Sequence, residues 1–134
     1  MPKMSDRLIF ASPEPVSVAI LNSDQRFAVN RIFCVGRNYH AHAAEMGFSI
    51  DKSRQEPFYF TKHPSAITAS GSTVDFAPQT ENLQHEMEWV VALGKAGFEV
   101  SADMANELVF GYACGLDMTR RDLQIKAREV GKPW

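Results

Sequence analysis

The sequence predicts an α+β fold with a mostly β core, and three observations lead to this prediction. The chain has 134 residues, which is the length of a single domain. Hydrophobic residues make up 45% of it and charged residues 22%, so there is enough apolar material for a core. Short segments typical of strands outnumber the segments with helical spacing, and turn residues separate them.

Charge and hydropathy exclude several classes of protein. The net charge of −2 and the pI near 6.1 lack the basic footprint of a nucleic-acid partner. The longest apolar run, Trp89–Leu93, is far shorter than the roughly 20 residues of a membrane span, and no signal-peptide pattern begins the chain. Because Cys34 and Cys114 lack disulfide or metal-ligand spacing, we expect reduced thiols and a cytoplasmic location.

The N-terminal third predicts short strands. Residues 16–20 alternate with a two-residue period and predict the first strand. Residues 27–35 predict a second strand, whose apolar pattern is interrupted by a bulge at Asn30-Arg31. We place a domain boundary at this polar pair, so that residues 1–31 form a small N-terminal β segment and residues 32–134 form the main domain.

The middle of the chain alternates between helical and extended patterns. Residues 38–46 are rich in alanine and predict a short helix, which Gly47 ends. The polar residues 48–56 predict a mobile loop. Aromatic residues 58–61 predict a strand, and residues 73–76 predict another short one.

The C-terminal half repeats the order of strand and helix. The predicted elements are strands over 88–93 and 109–116 and helices over 102–108 and 117–130. Thr119 and Asp122 predict a capping pair at the start of the last helix. Since loop residues and a large aromatic, Trp134, end the chain, we expect a fragment of a longer protein.

Three carboxylates are the first candidates for a functional site. Glu86 and Glu88 are alternate residues of a predicted strand and share a face. Val90 and Ala92 continue that face, so the carboxylates enter an apolar region where a hard divalent cation would compensate their charge. A solvated strand end explains the pair equally well. Asp117 lies at a predicted junction of strand and helix, where an acidic residue also serves as a helix cap.

Two further patterns suggest chemistry on helices. Asp117, Arg121 and Gln124 have the spacing of one helical stripe, although a surface salt bridge explains the first two. His42 and Glu45 lie on one face of the predicted short helix. A carboxylate beside an imidazole fixes its tautomer, as a general base requires, and a surface ion pair is the alternative.

The order and spacing of these motifs resemble the fumarylacetoacetate hydrolase superfamily. The resemblance covers the chain from about Val29 to Trp134, and its motifs are Cys34–Tyr39 with His42, Glu45 and Met46, then Phe60–Lys62, His85–Glu88 and Gly115–Gln124. Within the superfamily these motifs are most similar to those of the bacterial fumarylpyruvate hydrolases and acylpyruvases. The resemblance implies an incomplete β-roll, with the small β segment at its N-terminus.

The resemblance also implies roles for individual residues. Glu86, Glu88 and Asp117 match carboxylates that hold Mg²⁺ or Mn²⁺. His42 and Glu45 match a pair that activates water. Arg121, Gln124 and Lys62 match substrate-binding positions.

The activity that the resemblance implies is hydrolysis of a C–C bond in an acylpyruvate, with fumarylpyruvate giving fumarate and pyruvate. The alternatives within the superfamily are decarboxylation of oxaloacetate and isomerisation or hydration of a dienol acid. The implied partners are a small-molecule substrate and further copies of the chain, as a homodimer or larger assembly. Because the superfamily also uses a lysine beyond the last residue, an inactive, self-associating fragment is the third hypothesis.

Overall fold

A computed structural model describes residues 9–39, Gly47 and residues 56–133. The chain divides into two compact units, residues 1–73 and residues 74–134. The described strands form two-stranded antiparallel sheets, with few helices, as the mostly β prediction requires. The predicted domain boundary after residue 31 stays a prediction. No helix in the described part of the chain has the length and hydropathy needed to cross a membrane.

The first unit contains two antiparallel strand pairs. They are β1 (Ser17–Ala19) with β2 (Arg26–Ala28), and β3 (Ile32–Gly36) with β4 (Phe58–Lys62). The prediction of one bulged strand over 27–35 is wrong, since β2 and β3 are separate strands in different sheets. The polar pair Asn30-Arg31 is where the chain changes from one partner strand to the next.

The aromatic strand predicted over 58–61 is confirmed as β4. Its pairing with β3 runs from Ile32 opposite Lys62 to Gly36 opposite Phe58. A Cβ atom on Gly36 would lie 2.4 Å from Cδ1 of Phe58, so this close approach requires glycine. The pairing places Lys62, one of the predicted substrate-binding residues, at the end of β4.

The strand predicted over 73–76 is wrong, because the structure describes these residues and assigns no strand to them. Alternation alone does not make a strand; a partner edge is also needed, and in the described part of the chain this segment has none. Before it, Pro64–Ala66 forms a 3-10 turn that His63 caps by accepting a hydrogen bond from the backbone N–H of Ser65.

The second unit is built on one long antiparallel ribbon followed by a helix. Its elements are β5 (Leu83–Leu93), α1 (Ala102–Ala105), a 3-10 turn (Asn106–Leu108), β6 (Val109–Arg120) and α2 (Arg121–Glu129). The helix predicted over 102–108 is confirmed as α1 and the 3-10 turn. The predicted strands over 88–93 and 109–116 are confirmed, and both are longer than predicted.

The beginning of the last helix differs from the prediction. Residues 117–120 continue β6, because Asp117 pairs with Glu86 and Arg120 pairs with Leu83 across the ribbon. The predicted capping pair is also wrong: Arg120 is the N-cap of α2, without a side-chain capping bond in the described structure. Asp122 instead accepts hydrogen bonds from an earlier segment, as described below.

The β5–β6 register gives the ribbon two different faces. One, here named the carboxylate face, carries Glu86, Glu88 and Asp117. The other, here named the apolar face, carries Met87, Trp89, Val91 and Leu93 of β5 and Tyr112, Cys114 and Leu116 of β6. The rings of Trp89 and Tyr112 pack edge to face, with centroids 5.5 Å apart.

Candidate functional site

The strand register brings the three predicted carboxylates to one face. Glu86 lies directly opposite Asp117, a pairing that brings Cβ atoms to about 4.5–5.5 Å of each other. Glu88 follows on the same face, opposite Gly115, which offers no competing side chain. The predicted position of Asp117 at the start of a helix is wrong, and cross-strand pairing is what places it beside the glutamates.

The donor set of this face suits a hard divalent cation. Carboxylate oxygens are the ligands that Mg²⁺ and Mn²⁺ prefer, and one of them, Oδ1 of Asp117, is buried. In the conformation described, His, Cys, Asp and Glu side chains do not gather in threes at metal-binding distance within the described residues. Oε1 of Glu86 is engaged by Arg121 instead. The chemistry of the three carboxylates therefore fits a metal, and this conformation pairs one of them with an arginine.

Arg121 is the only buried residue among those the structure describes, with 6% of its surface exposed. Its guanidinium donates from Nε to Oε1 of Gln84 at 2.9 Å and from Nη1 to Oε1 of Gln124 at 2.5 Å. Its Nη2 forms an ion pair with Oε1 of Glu86. Burial of a charge is costly unless it is paired and hydrogen-bonded, and here each guanidinium nitrogen has an acceptor.

These contacts change the interpretation of the helical stripe. Arg121 and Gln124 meet across one turn of α2, but Asp117 belongs to β6 and not to the helix. The ion-pair partner of Arg121 is Glu86 rather than Asp117, and the pair is not a solvated surface bridge, because the two side chains are 7% and 20% exposed. The candidate site is therefore assembled between a strand and the first turn of the following helix.

A polar network behind Arg121 escaped the sequence analysis. The Nε2 amide of Gln84 donates to Oδ1 of Asn82 at 3.0 Å, and the backbone N–H of Arg121 donates to the Asn82 carbonyl at 2.9 Å. The signal was available in the alternation that places Glu86 and Glu88 on one face. Extended backward by two residues, the same period puts Gln84 on that face as well.

Asp122 anchors the segment before β5 to the start of α2. Thr80 donates its hydroxyl hydrogen to Oδ1 of Asp122, and the Glu81 backbone N–H donates to Oδ2 at 2.9 Å. The Thr80 hydroxyl oxygen accepts in turn from the backbone N–H of Asn82 at 3.1 Å. The hydrogen bond from Thr80, followed by that from Glu81, lowers the pKa of Asp122 below its ordinary value.

The remaining predicted site residues belong to the first unit. Lys62 is half-exposed at the end of β4. His42 and Glu45 lie outside the described residues, so their roles stay predictions.

Comparison with known proteins gives matches over most of the chain. The family described as fumarylacetoacetate (FAA) hydrolase C-terminal matches residues 31–134. A fumarylpyruvate hydrolase from a Ralstonia species is 57% identical over 89 residues, covering 66% of this chain and 46% of that protein. The mitochondrial oxaloacetate tautomerase FAHD1 of Arabidopsis thaliana is 39% identical over 104 residues, covering 78% and 45%.

The solved structures give the same result for the fold. Fumarylpyruvate hydrolase from Pseudomonas aeruginosa, in complex with Mn²⁺ and pyruvate, superposes with a TM-score of 0.85 at 50% identity. That match covers 96% of this chain and 56% of the Pseudomonas chain. The predicted β-roll architecture, in part, is thereby confirmed. The chain spans about half the length of the curated relatives it matches.

Proposed function

The chain belongs to the fumarylacetoacetate hydrolase family, and from that premise we propose that it serves the hydrolysis of a C–C bond in an acylpyruvate, fumarylpyruvate. The observation that carries the proposal is the carboxylate face, where Glu86, Glu88 and Asp117 share one side of the ribbon and Glu86 pairs with the buried Arg121. The name of the Ralstonia relative supports the substrate. The Pseudomonas structure, which holds Mn²⁺ and pyruvate, supports both the metal and the keto-acid product.

The three carboxylates are the proposed ligands of Mg²⁺ or Mn²⁺. The cation, when bound, supplies positive charge that stabilises negative charge developing on the keto acid. In this proposal Glu86 interacts with both the cation and Arg121. A carboxylate has two oxygens, and Arg121 engages Oε1 of Glu86.

Arg121 is the proposed receptor for the substrate carboxylate. A guanidinium has five N–H donors, and the protein uses one on each of Nε, Nη1 and Nη2. One N–H therefore remains on each terminal nitrogen, which matches the two oxygens of a carboxylate. We assign Gln124 and Lys62 to substrate contacts as well, on their match to the family's motifs.

The proposed reaction adds one water across the C–C bond. His42, oriented by Glu45, removes a proton from water as the oxygen attacks the 4-carbonyl carbon. The bond between C3 and C4 then breaks, its electron pair stays with the pyruvate half, and a proton on C3 completes pyruvate. The other product of fumarylpyruvate is fumarate, so water, substrate and products balance without a further reactant.

Tautomerisation of oxaloacetate is the second candidate activity. It is favoured by relatives that carry this name, among them the Arabidopsis protein at 39% identity and the Bos taurus protein at 43%. Both activities need a cation beside a 2-keto acid and differ in whether a C–C bond breaks. Equimolar fumarate and pyruvate released from fumarylpyruvate would support the hydrolase, whereas enol-to-keto conversion of oxaloacetate without C–C cleavage would support the tautomerase.

The same assay tests the assignment of the base. His42→Ala should lower kcat by about 10²–10⁴-fold and change KM little, because proton transfer from water occurs only in the transition state. His63→Ala is the matched control, since His63 caps a 3-10 turn by a local hydrogen bond to Ser65. A loss smaller than tenfold in His42→Ala, or an equal loss in His63→Ala, would remove His42 from the role.

We also propose that the chain self-associates through the apolar face. Trp89 and Met87 are 67% and 64% exposed there. Large exposed apolar patches on a ribbon are typical of surfaces that pair with another polypeptide.

A further inference from the structure

We propose that Gln84 is a positioning residue that holds the guanidinium of Arg121 in the orientation needed to receive a carboxylate. The inference rests on the proposed function, in which Arg121 binds the substrate carboxylate. Gln84 itself need not touch substrate, because it acts through Arg121.

The guanidinium of Arg121 is held along one edge by β5. Nε of Arg121 donates to Gln84, and Nη2 pairs with Glu86. These two acceptors are alternate residues of β5 on one face, roughly 6–7 Å apart along the strand. One edge of the planar guanidinium therefore lies along β5. With Nε released, Arg121 would keep only contacts at its terminal nitrogens, and the plane could turn about them.

The amide of Gln84 has only one suitable orientation. Arginine donates hydrogen bonds and accepts none, so Gln84 must present its oxygen to Nε. Its amide nitrogen must then find an acceptor, and Oδ1 of Asn82 lies 3.0 Å from it. A reversed amide would bring its own N–H groups against those of Arg121 and its oxygen against that of Asn82.

Asn82 is itself hydrogen-bonded to the backbone of Arg121. Its carbonyl accepts the backbone N–H of Arg121 at 2.9 Å, while its own N–H donates to Thr80. The backbone of Arg121 and, through Gln84, its side chain are thus tied to one short segment. A shift of that segment therefore moves the backbone and the side chain of Arg121 together. Of the two hydrogen bonds, the one to Asn82 holds the backbone and the one to Gln84 holds the guanidinium.

The test compares two substitutions of similar size. Gln84→Met removes the acceptor but keeps the length. Gln84→Glu keeps an Oε1 acceptor for Nε, and the exposed side-chain amide of Asn82 can turn over to donate to the second carboxylate oxygen. Because a hydrogen bond to a buried charged group is lost, we expect Gln84→Met to weaken pyruvate binding to the Mn²⁺-loaded chain by about tenfold. Gln84→Glu should stay within about threefold of the original chain. Calorimetric titration of the whole 134-residue chain measures both affinities.

A spectroscopic readout keeps the orientation of Arg121 separate from ligand binding. The Nε–H resonance of Arg121, assigned by its absence in Arg121→Lys, should exchange slowly with water. In Gln84→Met it should exchange at least tenfold faster, and in Gln84→Glu it should not. His85→Met, one residue along β5 and on the opposite face, is the control and should change neither readout.

The outcomes separate the two proposals. Loss of Nε–H protection together with weaker pyruvate binding in Gln84→Met, with rescue in Gln84→Glu, supports the positioning role. Retained protection or unchanged pyruvate affinity in Gln84→Met overturns it. If the original chain binds Mn²⁺ but not pyruvate, the proposed substrate contact of Arg121 is wrong, and the positioning role is overturned with it even if the resonance responds to Gln84.

Discussion

The two faces of the β5–β6 ribbon differ in how their side chains are satisfied. On the carboxylate face, a charged group that is expensive to bury, Arg121, is 6% exposed and hydrogen-bonded at each nitrogen. On the apolar face, side chains that are cheap to bury, such as Trp89 at 67% exposure, remain open within the described structure. The charge of Arg121 is paired inside this unit, whereas the hydrophobic surface is not covered.

This difference indicates how the ribbon divides its tasks. Hydrogen bonds are directional, so the guanidinium at the carboxylate face needs a specific set of acceptors. Residues of β5 and α2 supply these acceptors, and the segment before β5 holds them in place. Apolar burial has no direction, so the other face can be covered by any complementary apolar surface. We therefore expect the carboxylate face to control the stability and the chemistry of the chain, and the apolar face to control its association.

The largest expected loss of unfolding free energy comes from removing the ion pair of Arg121 at the carboxylate face. Arg121→Met leaves Glu86 without its buried counter-charge, which typically costs about 3–5 kcal/mol. Urea unfolding of the chain measures the loss of unfolding free energy. Lys126→Met is the matched control, because Lys126 is an exposed cation of the same helix and should cost less than about 0.5 kcal/mol. Similar losses in both variants would contradict the comparison between the faces.

A smaller effect is expected from charging the apolar face. Trp89→Arg should weaken self-association by about 2 kcal/mol, roughly thirtyfold, because a large aromatic anchor is replaced by a cation at the interface. Phe98→Arg is the control for nonspecific hydrophobic association, since Phe98 is 85% exposed but lies outside the ribbon. Light scattering over a concentration series gives the mass against the 15.0 kDa of one chain. A chain that is monomeric at all concentrations would end the proposal of self-association.

The carboxylate face combines features that are local in the sequence with features that depend on a distant strand. The alternation of Glu86 and Glu88 on a strand was predictable, because a two-residue period is local. The position of Asp117 was not, because a strand that continues into residues 117–120 depends on the partner strand across the ribbon. The local signals there, an acid followed by polar residues, favour a helix start equally well.

The same physical reason explains the other differences. Separate strands β2 and β3 look like one strand when only apolar alternation is considered, since pairing partners are not local. Thr119 and Asp122 have the spacing of a capping pair, but Asp122 finds stronger partners in Thr80 and Glu81, far away in sequence. Family resemblance identified the carboxylates and Arg121, whereas the role of Gln84 emerged only from the hydrogen bonds.

Crowding the carboxylate face without changing its charge should have a modest effect. A Cβ on Gly115 would lie 2.9 Å from Cγ2 of Val90, so Gly115→Ala should cost about 1 kcal/mol, at the low end for overpacking. Gly111→Ala is the matched control on the same strand, because nothing lies within 4 Å of its added Cβ. Adding Val90→Ala to Gly115→Ala should restore the lost stability. If the double variant is no better than Gly115→Ala alone, the clash with Val90 is not the cause.

The smallest effect is a dependence of stability on acid pH. Because the folded pKa of Asp122 is lowered, its contribution is complete above the unfolded-state value of about 3.9 and is lost as the pH falls through the folded pKa. The Asp122→Asn variant should be less stable than the original chain near neutral pH, and this difference in stability should shrink as the pH falls below about 4. Thermal unfolding at stepwise pH measures it, with the exposed Asp103→Asn of α1 as control. A deficit that is constant across this range would contradict the assignment.

The central claim is that the carboxylate face binds a divalent cation, and a calorimetric titration with Mn²⁺ tests it most directly. The account predicts that the chain binds Mn²⁺ and that Glu88→Gln weakens this binding at least tenfold, because one hard, charged ligand is removed. Glu107→Gln, in the 3-10 turn between α1 and β6, should leave the affinity unchanged. Equal Mn²⁺ affinity in the original chain, Glu88→Gln and Glu107→Gln would contradict the claim.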